Sequence, residues 1–260
     1  LSNQMLVVRM EFVSKATLKS TLDKSQGRTS IKVAVFSATS ITPHIRRLTF
    51  VGNALEIFAK GGPAQWVKVF VPADGGSRSI GRAYTVRRWE PETHTLTIDF
   101  TLHENPGPVS AWAASAAAGD EAEIAGPRLS HLLRPVAEWR LFAGDETALS
   151  AIASILEALP PTDQPLVFIE VPTPADRQSL TAPHGTRIQW LIRSEQSASP
   201  GELLVDAVCS KLFPSGDGQV FLAGEARSVR LMKDYAACLI SSDSIDAKGY
   251  WSIGRSDYRD

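Results

Sequence analysis

The 260-residue chain is 43% hydrophobic and 21% charged, an ordinary soluble-globular balance with room for two modest domains. Lys and Arg (27) nearly cancel Asp and Glu (28), which argues against general nucleic-acid binding. No apolar run reaches membrane-spanning length and no secretory pattern opens the chain, so a cytoplasmic protein without membrane attachment is expected.

The charge is unevenly placed. Residues 1–130 hold 15 basic and 11 acidic side chains, whereas residues 131–260 hold 12 and 17. Halves of opposite sign fit different jobs, and an anion site is expected in the first. Cys209 and Cys238, distant and outside any C-x-x-C, read as two buried thiols rather than a disulfide or metal ligands. His44, His94, His103, His131 and His184 show no metal-ligand spacing.

Residues 1–29 are mixed and polar and read as a loosely tied extension. From Ile31 the pattern is that of strands: Ile31–Phe36, Ile45–Val51 and Trp66–Val71 are short, β-branched runs between Pro/Gly turns. Gly81–Arg88 follows, with Arg82, Tyr84 and Val86 on one face and Ala83, Thr85 and Arg87 on the other. A guanidinium beside an aromatic face suits a planar ring system bearing phosphates, although an exposed strand with solvated arginines reads the same in isolation. Thr95–Leu102 alternates cleanly, Ala111–Ala118 is helical with Pro108 suited to its first position, and Glu121–Ala125 is a further strand. These runs predict a six-stranded antiparallel β-barrel over residues 30–130. The glycine-led helix start after Pro106 can hold a diphosphate or be an ordinary helix start.

Over residues 131–260 the grammar changes to strand–helix alternation. Arg140–Ala143, Leu166–Val171, Ile188–Ile192, Gln219–Ala223 and Gly249–Ile253 read as strands. Between them come a helix capped by Asp145 and helices over Glu202–Phe213 and Glu225–Leu239. A mostly parallel α/β domain follows, with ligands at the carboxyl ends of its strands.

Taken in order, Trp66-Val67-Lys68-Val69-Phe70-Val71-Pro72, Gly81-Arg82-Ala83-Tyr84-Thr85-Val86-Arg87 and Asp99-Phe100-Thr101-Leu102-His103 resemble the siderophore-interacting proteins. So do Gly107-Pro108-Val109-Ser110-Ala111-Trp112-Ala113, Ala125-Gly126-Pro127-Arg128, Ala143-Gly144-Asp145-Glu146-Thr147-Ala148, Ala223-Gly224-Glu225-Ala226 and Gly249-Tyr250-Trp251. These are flavin-dependent ferric-siderophore reductases of ferredoxin–NADP reductase architecture. The resemblance implies FAD in the first domain, with Arg82 on the phosphates, Tyr84 on the isoalloxazine and Thr85 near its reactive nitrogen. His103, Gly107, Pro108, Val109 and Ser110 would surround the ribityl–diphosphate section, with Ala83 and Thr101 completing the set. Trp112 stands between cofactor contact and packing, packing being favoured.

NADPH or NADH is implied in the second domain, despite the absence of G-x-G-x-x-G. Gly144, Asp145, Glu146 and Thr147 would offer a helix start, Gly224 and Glu225 the neighbouring strand end, and Arg193 or Arg177 a cation for a 2′-phosphate. A ferric siderophore is the implied substrate, with Lys68, Arg128, Trp251 and Arg255 beside it. Ser252 stands where the family often has Lys or Arg, which leaves the siderophore type open. A monomer is expected. The rivals are a reductase with a protein electron partner such as ferredoxin, and a siderophore- or flavin-binding module without turnover.

Overall fold

The computed structural model describes residues 30–52, 54–73, 81–104, 106–128, 133–134, 136–255 and 258. The expected N-terminal extension and His131 lie outside them. β1 (Ile31–Thr42), β2 (Ile45–Val51), β3 (Trp66–Phe70), β4 (Arg82–Glu90), β5 (Thr95–Thr101) and β6 (Glu121–Arg128) close into a barrel in the order β1-β2-β5-β4-β3-β6. Every pairing in it is antiparallel. The period-2 pattern explains the inside: Leu96, Ile98 and Phe100 of β5 are fully buried while its threonines stay half-exposed.

β4 departs from simple alternation. A bulge between Val86 and Arg88 inserts one residue, so Tyr84 and Val86 pack on the barrel core and then Trp89 returns to it. Helix α1 (Pro108–Ser115) closes one side of the barrel with Val109 and Ala113 buried.

The second sheet comprises β7 (Trp139–Gly144), β8 (Leu166–Val171), β9 (Arg187–Ile192), β10 (Gly218–Glu225) and β11 (Ile245–Trp251). Its order is β11-β10-β7-β8-β9, and all four pairings are parallel. Helix α2 (Leu149–Ala158) covers one face through Ile152 and Leu156 against Phe142, Val167 and Phe221. Helices α3 (Glu202–Cys209) and α4 (Ala226–Ala237) cover the other through Leu204 and Met232 against Leu141, Phe168 and Val220. Burial on both faces explains why β10 is apolar almost throughout. Strand order reverses between β7 and β10, so the ligand crevice of this sheet lies outside their carboxyl ends.

Some expectations are corrected. Asp145 does not cap α2, whose N-cap is Ala148; it ties down the preceding turn instead. α3 ends at Cys209, because Leu212 beyond it is 90% exposed and has no core to meet. The thiols are not both buried: Cys209 is half-buried, and Cys238, past the last turn of α4, is exposed.

The two halves are fastened along α2. The bulge residue Arg87 holds Glu157 at 2.6 and 3.1 Å. Asp99 accepts both Arg47, at 2.6 and 2.8 Å, and the Ser150 hydroxyl, at 3.0 Å. Ile45 of β2 sits in the core of the second half. At the β1–β2 turn, His44 Nδ1 lies 2.9 Å from the buried Asp176 carboxylate.

Candidate functional site

On the barrel, Tyr84 lies with its ring centroid 4.4 Å from that of Phe100, tilted by 47°. Burial drives its hydroxyl far above the ordinary tyrosine range, against a smaller opposing pull from Arg82. Trp112 stacks on Phe50 at 6.5 Å and meets Phe100 edge-on, packing on the barrel core while remaining half-buried.

The start of α1 is built open. Its N-cap, Gly107, is extended (φ −71°, ψ 170°) and no side chain caps the helix. Nothing lies within 4 Å of where a Cβ on Gly107 would stand. Pro108 has no N–H to lose, and the other first-turn N–H groups have no carbonyl of their own helix to bind. The Ser110 hydroxyl donates to the Thr101 carbonyl at 2.8 Å, which fixes α1 against β5. An uncapped helix start on a barrel that also presents Arg82 and Tyr84 is a donor set that fits a flavin dinucleotide.

Thr85 turns the other way. It is 9% exposed and its side chain hydrogen-bonds Tyr250 of β11, whose hydroxyl burial pushes up to about 12. Beside it, His103 meets Trp251 with ring centroids 6.4 Å apart. Burial lowers the His103 imidazole below its usual range, partly offset by Glu146. The Trp251 indole donates to Asp145 Oδ2 at 2.8 Å. Thus Trp251, expected at the substrate, bridges His103, expected at the flavin, and Asp145, expected at the nicotinamide cofactor, where the halves meet.

Asp145 is the hub there. Fully buried, it accepts the Thr147 N–H and hydroxyl on Oδ1 (2.9 and 2.5 Å) and the Glu225 N–H on Oδ2 (2.9 Å) besides Trp251. Burial, then Glu146, push its carboxyl up to about 7, against these donors, which favour the ionised form. Gly224 is required where it stands, with φ +142° and a would-be Cβ 2.5 Å from Asp145 Oδ2. Glu225 spends its own carboxylate on Ser228, capping α4. Arg193 is not open to solvent: Glu146 holds both its terminal nitrogens at 2.8 Å and Glu170 one of them at 3.0 Å. Arg177 is exposed on the loop after β8.

A cationic cluster also lies where the halves meet. The Arg128 guanidinium lies 5.0 Å and the Lys248 ammonium 4.8 Å from the Trp66 ring centroid, one cation from each half. Trp66 pairs with Thr85 and Lys68 with Ala83 across β3–β4, so the three cations border the Thr85 face. Arg255 is exposed on the Ser252–Arg255 turn instead. Lys248 is absent from the expected cations, because a basic residue is expected after Gly249-Tyr250-Trp251 and this one stands just before it.

A closed six-stranded antiparallel barrel joined to a five-stranded parallel sheet is the ferredoxin reductase-like fold. The chain belongs to the siderophore-interacting protein family. The family's siderophore-interacting FAD-binding domain matches residues 34–80 and 73–131, and its siderophore-interacting protein domain matches residues 137–254. The ferric vibriobactin reductase ViuB of Vibrio cholerae is 30% identical over 241 residues, covering 84% of this chain and 87% of that one. A siderophore utilization protein from T. fusca superposes with a TM-score of 0.79 at 33% identity, over 88% of this chain and 95% of that one. The Neisseria gonorrhoeae ferredoxin NADP+ reductase with bound FAD and NADP shares the fold, with a TM-score of 0.65 at 17% identity over 85% and 99%. Among the described residues no cluster suits a metal ion, and no helix is long and apolar enough to cross a membrane.

Proposed function

We propose that the chain is a reductase that takes electrons from a nicotinamide dinucleotide through FAD to a ferric siderophore. Residues 30–130 form the flavin half in this reading and residues 131–260 the nicotinamide half. Bound flavin supplies the conversion of a two-electron donor into single-electron steps. Arg82 would hold its diphosphate bidentately, the first-turn N–H groups of α1 would share that charge, and Tyr84 would offer the ring face. Thr85, held by Tyr250, would stand at the flavin ring, and Trp251 with His103 would keep water from that face.

The observation that carries the substrate class is the meeting of Arg128 and Lys248 on Trp66, one strand from Thr85. Positive charge from both halves beside the redox position suits an anionic ferric chelate. Hard oxygen ligands grip ferric iron much more strongly than ferrous, so one-electron reduction loosens the complex. Mixing the reduced protein anaerobically with ferric tris-catecholate and a ferrous-iron trap tests this. Flavin reoxidation should match trapped iron, one flavin for two irons. Flavin that stays reduced, or no ferrous iron trapped, would end the proposal.

A further inference from the structure

The carboxyl edge of the second sheet also speaks to which nicotinamide dinucleotide it takes. Tyr250 and Trp251 of β11 touch Thr85 and His103, so a nicotinamide ring reaching the barrel must lie on the β10–β11 side. Its adenosine then runs the opposite way, over the ends of β8 and β9. Arg193, the residue after β9, stands where a ribose 2′-phosphate would seek a cation.

That cation is already committed. Its side chain is 12% exposed and its partners Glu146 and Glu170 are 6% and 0% exposed. The Glu146 contact is bidentate, the geometry a phosphate would itself use. Burial acts to lower the guanidinium pKa, but Glu146 and then Glu170 raise it above its ordinary value, so it stays charged. Glu170 cannot follow it outward, because its oxygens also accept the Gly201 and Leu204 N–H groups at 2.7 and 3.1 Å. Turning Arg193 to a phosphate would leave Glu146 buried and unpaired, with a phosphate of about −1.5 to −2 beside it.

We infer that the Glu146–Arg193–Glu170 cluster selects against a 2′-phosphate, making the donor NADH rather than NADPH, with Glu146 as the specificity-determining residue. The inference rests on the nicotinamide-donor reading above. The redox-inert probes ADP-ribose and 2′-phospho-ADP-ribose, titrated calorimetrically into the flavin-loaded protein, separate the two. ADP-ribose should bind about tenfold more tightly, the scale set by one uncompensated like charge. Glu146→Gln should shrink that ratio to about threefold or less, by freeing Arg193. Tighter binding of the 2′-phosphate ligand by the wild type would overturn the inference alone, and Arg177→Ala would then show whether the exposed loop cation is responsible. A ratio unchanged in Glu146→Gln would also overturn it. Binding of neither probe would remove the nicotinamide-donor reading and the inference with it. Should Glu146→Gln not fold, the wild-type ratio still decides.

Discussion

Helix α1 of the barrel and helices α3 and α4 of the second half have differently prepared starts. In the barrel, α1 begins at a glycine with no side-chain cap and open space before it. In the second half, acids already occupy the carboxyl edge. Asp145 holds the turn into α2 and the Glu225 N–H, Glu170 holds the start of α3, and Glu225 caps α4. A helix N-terminus is an anion site only where the chain leaves it empty. The first half thus keeps such a start open, as the proposed diphosphate site requires. In the second, α3 and α4 start on acids of the chain itself, whereas α2 begins at Ala148 with no side-chain cap, as α1 does at Gly107.

If the acids of the second half are structural, removing one should cost most of all the changes considered. Glu170→Ala strips a fully buried carboxylate from Arg193 and from two N–H groups, and the loss should be about 3–5 kcal/mol. Urea unfolding monitored by far-ultraviolet circular dichroism reads it. A midpoint equal to wild type would mean that the caps contribute nothing.

Titration offers the next largest effect. Burial, then Glu146, raise the Asp145 carboxyl in the folded protein towards about 7, from an ordinary 3.8. The folded state therefore binds more protons between these limits. Its contribution is fully present below about pH 4, is lost as pH rises towards 7, and is flat above. The lowered His103 acts in the opposite sense, losing stability as pH falls below its ordinary value. Comparing wild type with Asp145→Asn removes that shared part. A stability difference between the two that does not change from pH 4 to 7 would show Asp145 to be ionised throughout.

In the barrel, Arg82→Ala should weaken FAD binding by about 2 kcal/mol, roughly thirtyfold, with the apoprotein's thermal midpoint little changed. Tyr84→Ala should lose flavin and also lower that midpoint, because the ring packs on Phe100. Fluorescence titration with FAD separates them. Equal melting points would deny Tyr84 its packing role, and undiminished affinity in Arg82→Ala would deny the open-start comparison.

Strand alternation and helix stripes made most elements legible in the sequence, because burial on one face leaves a period that residues cannot hide. Ile45–Val51 and Leu166–Val171 are found at their expected ends. What stayed hidden depends on three-dimensional partnering. Arg193 reads as a free cation after a strand until Glu146, 47 positions away, is seen holding it. Asp145 reads as a helix cap until Trp251 and Glu225 converge on it. The bulge in β4 changes which side of the barrel Trp89 serves, and no composition signal marks it.

The smallest effect concerns Lys248, a cation that the second half places over the barrel's Trp66. Its ammonium lies over Trp66 at 4.8 Å, so truncation removes a cation–π contact of about 0.5–1 kcal/mol and one positive charge from the cluster. Lys248→Ala should leave FAD affinity unchanged and weaken an anionic ferric chelate about threefold to tenfold, less so at high salt. Arg255→Ala should change neither, because that side chain stands out on the terminal turn. Tryptophan fluorescence quenching by ferric tris-catecholate, at low and high ionic strength, reads the difference. If Arg255→Ala has the larger effect, substrate approaches over the terminal turn. The second half would then serve the barrel through its last strand's end and not through the Trp66 junction.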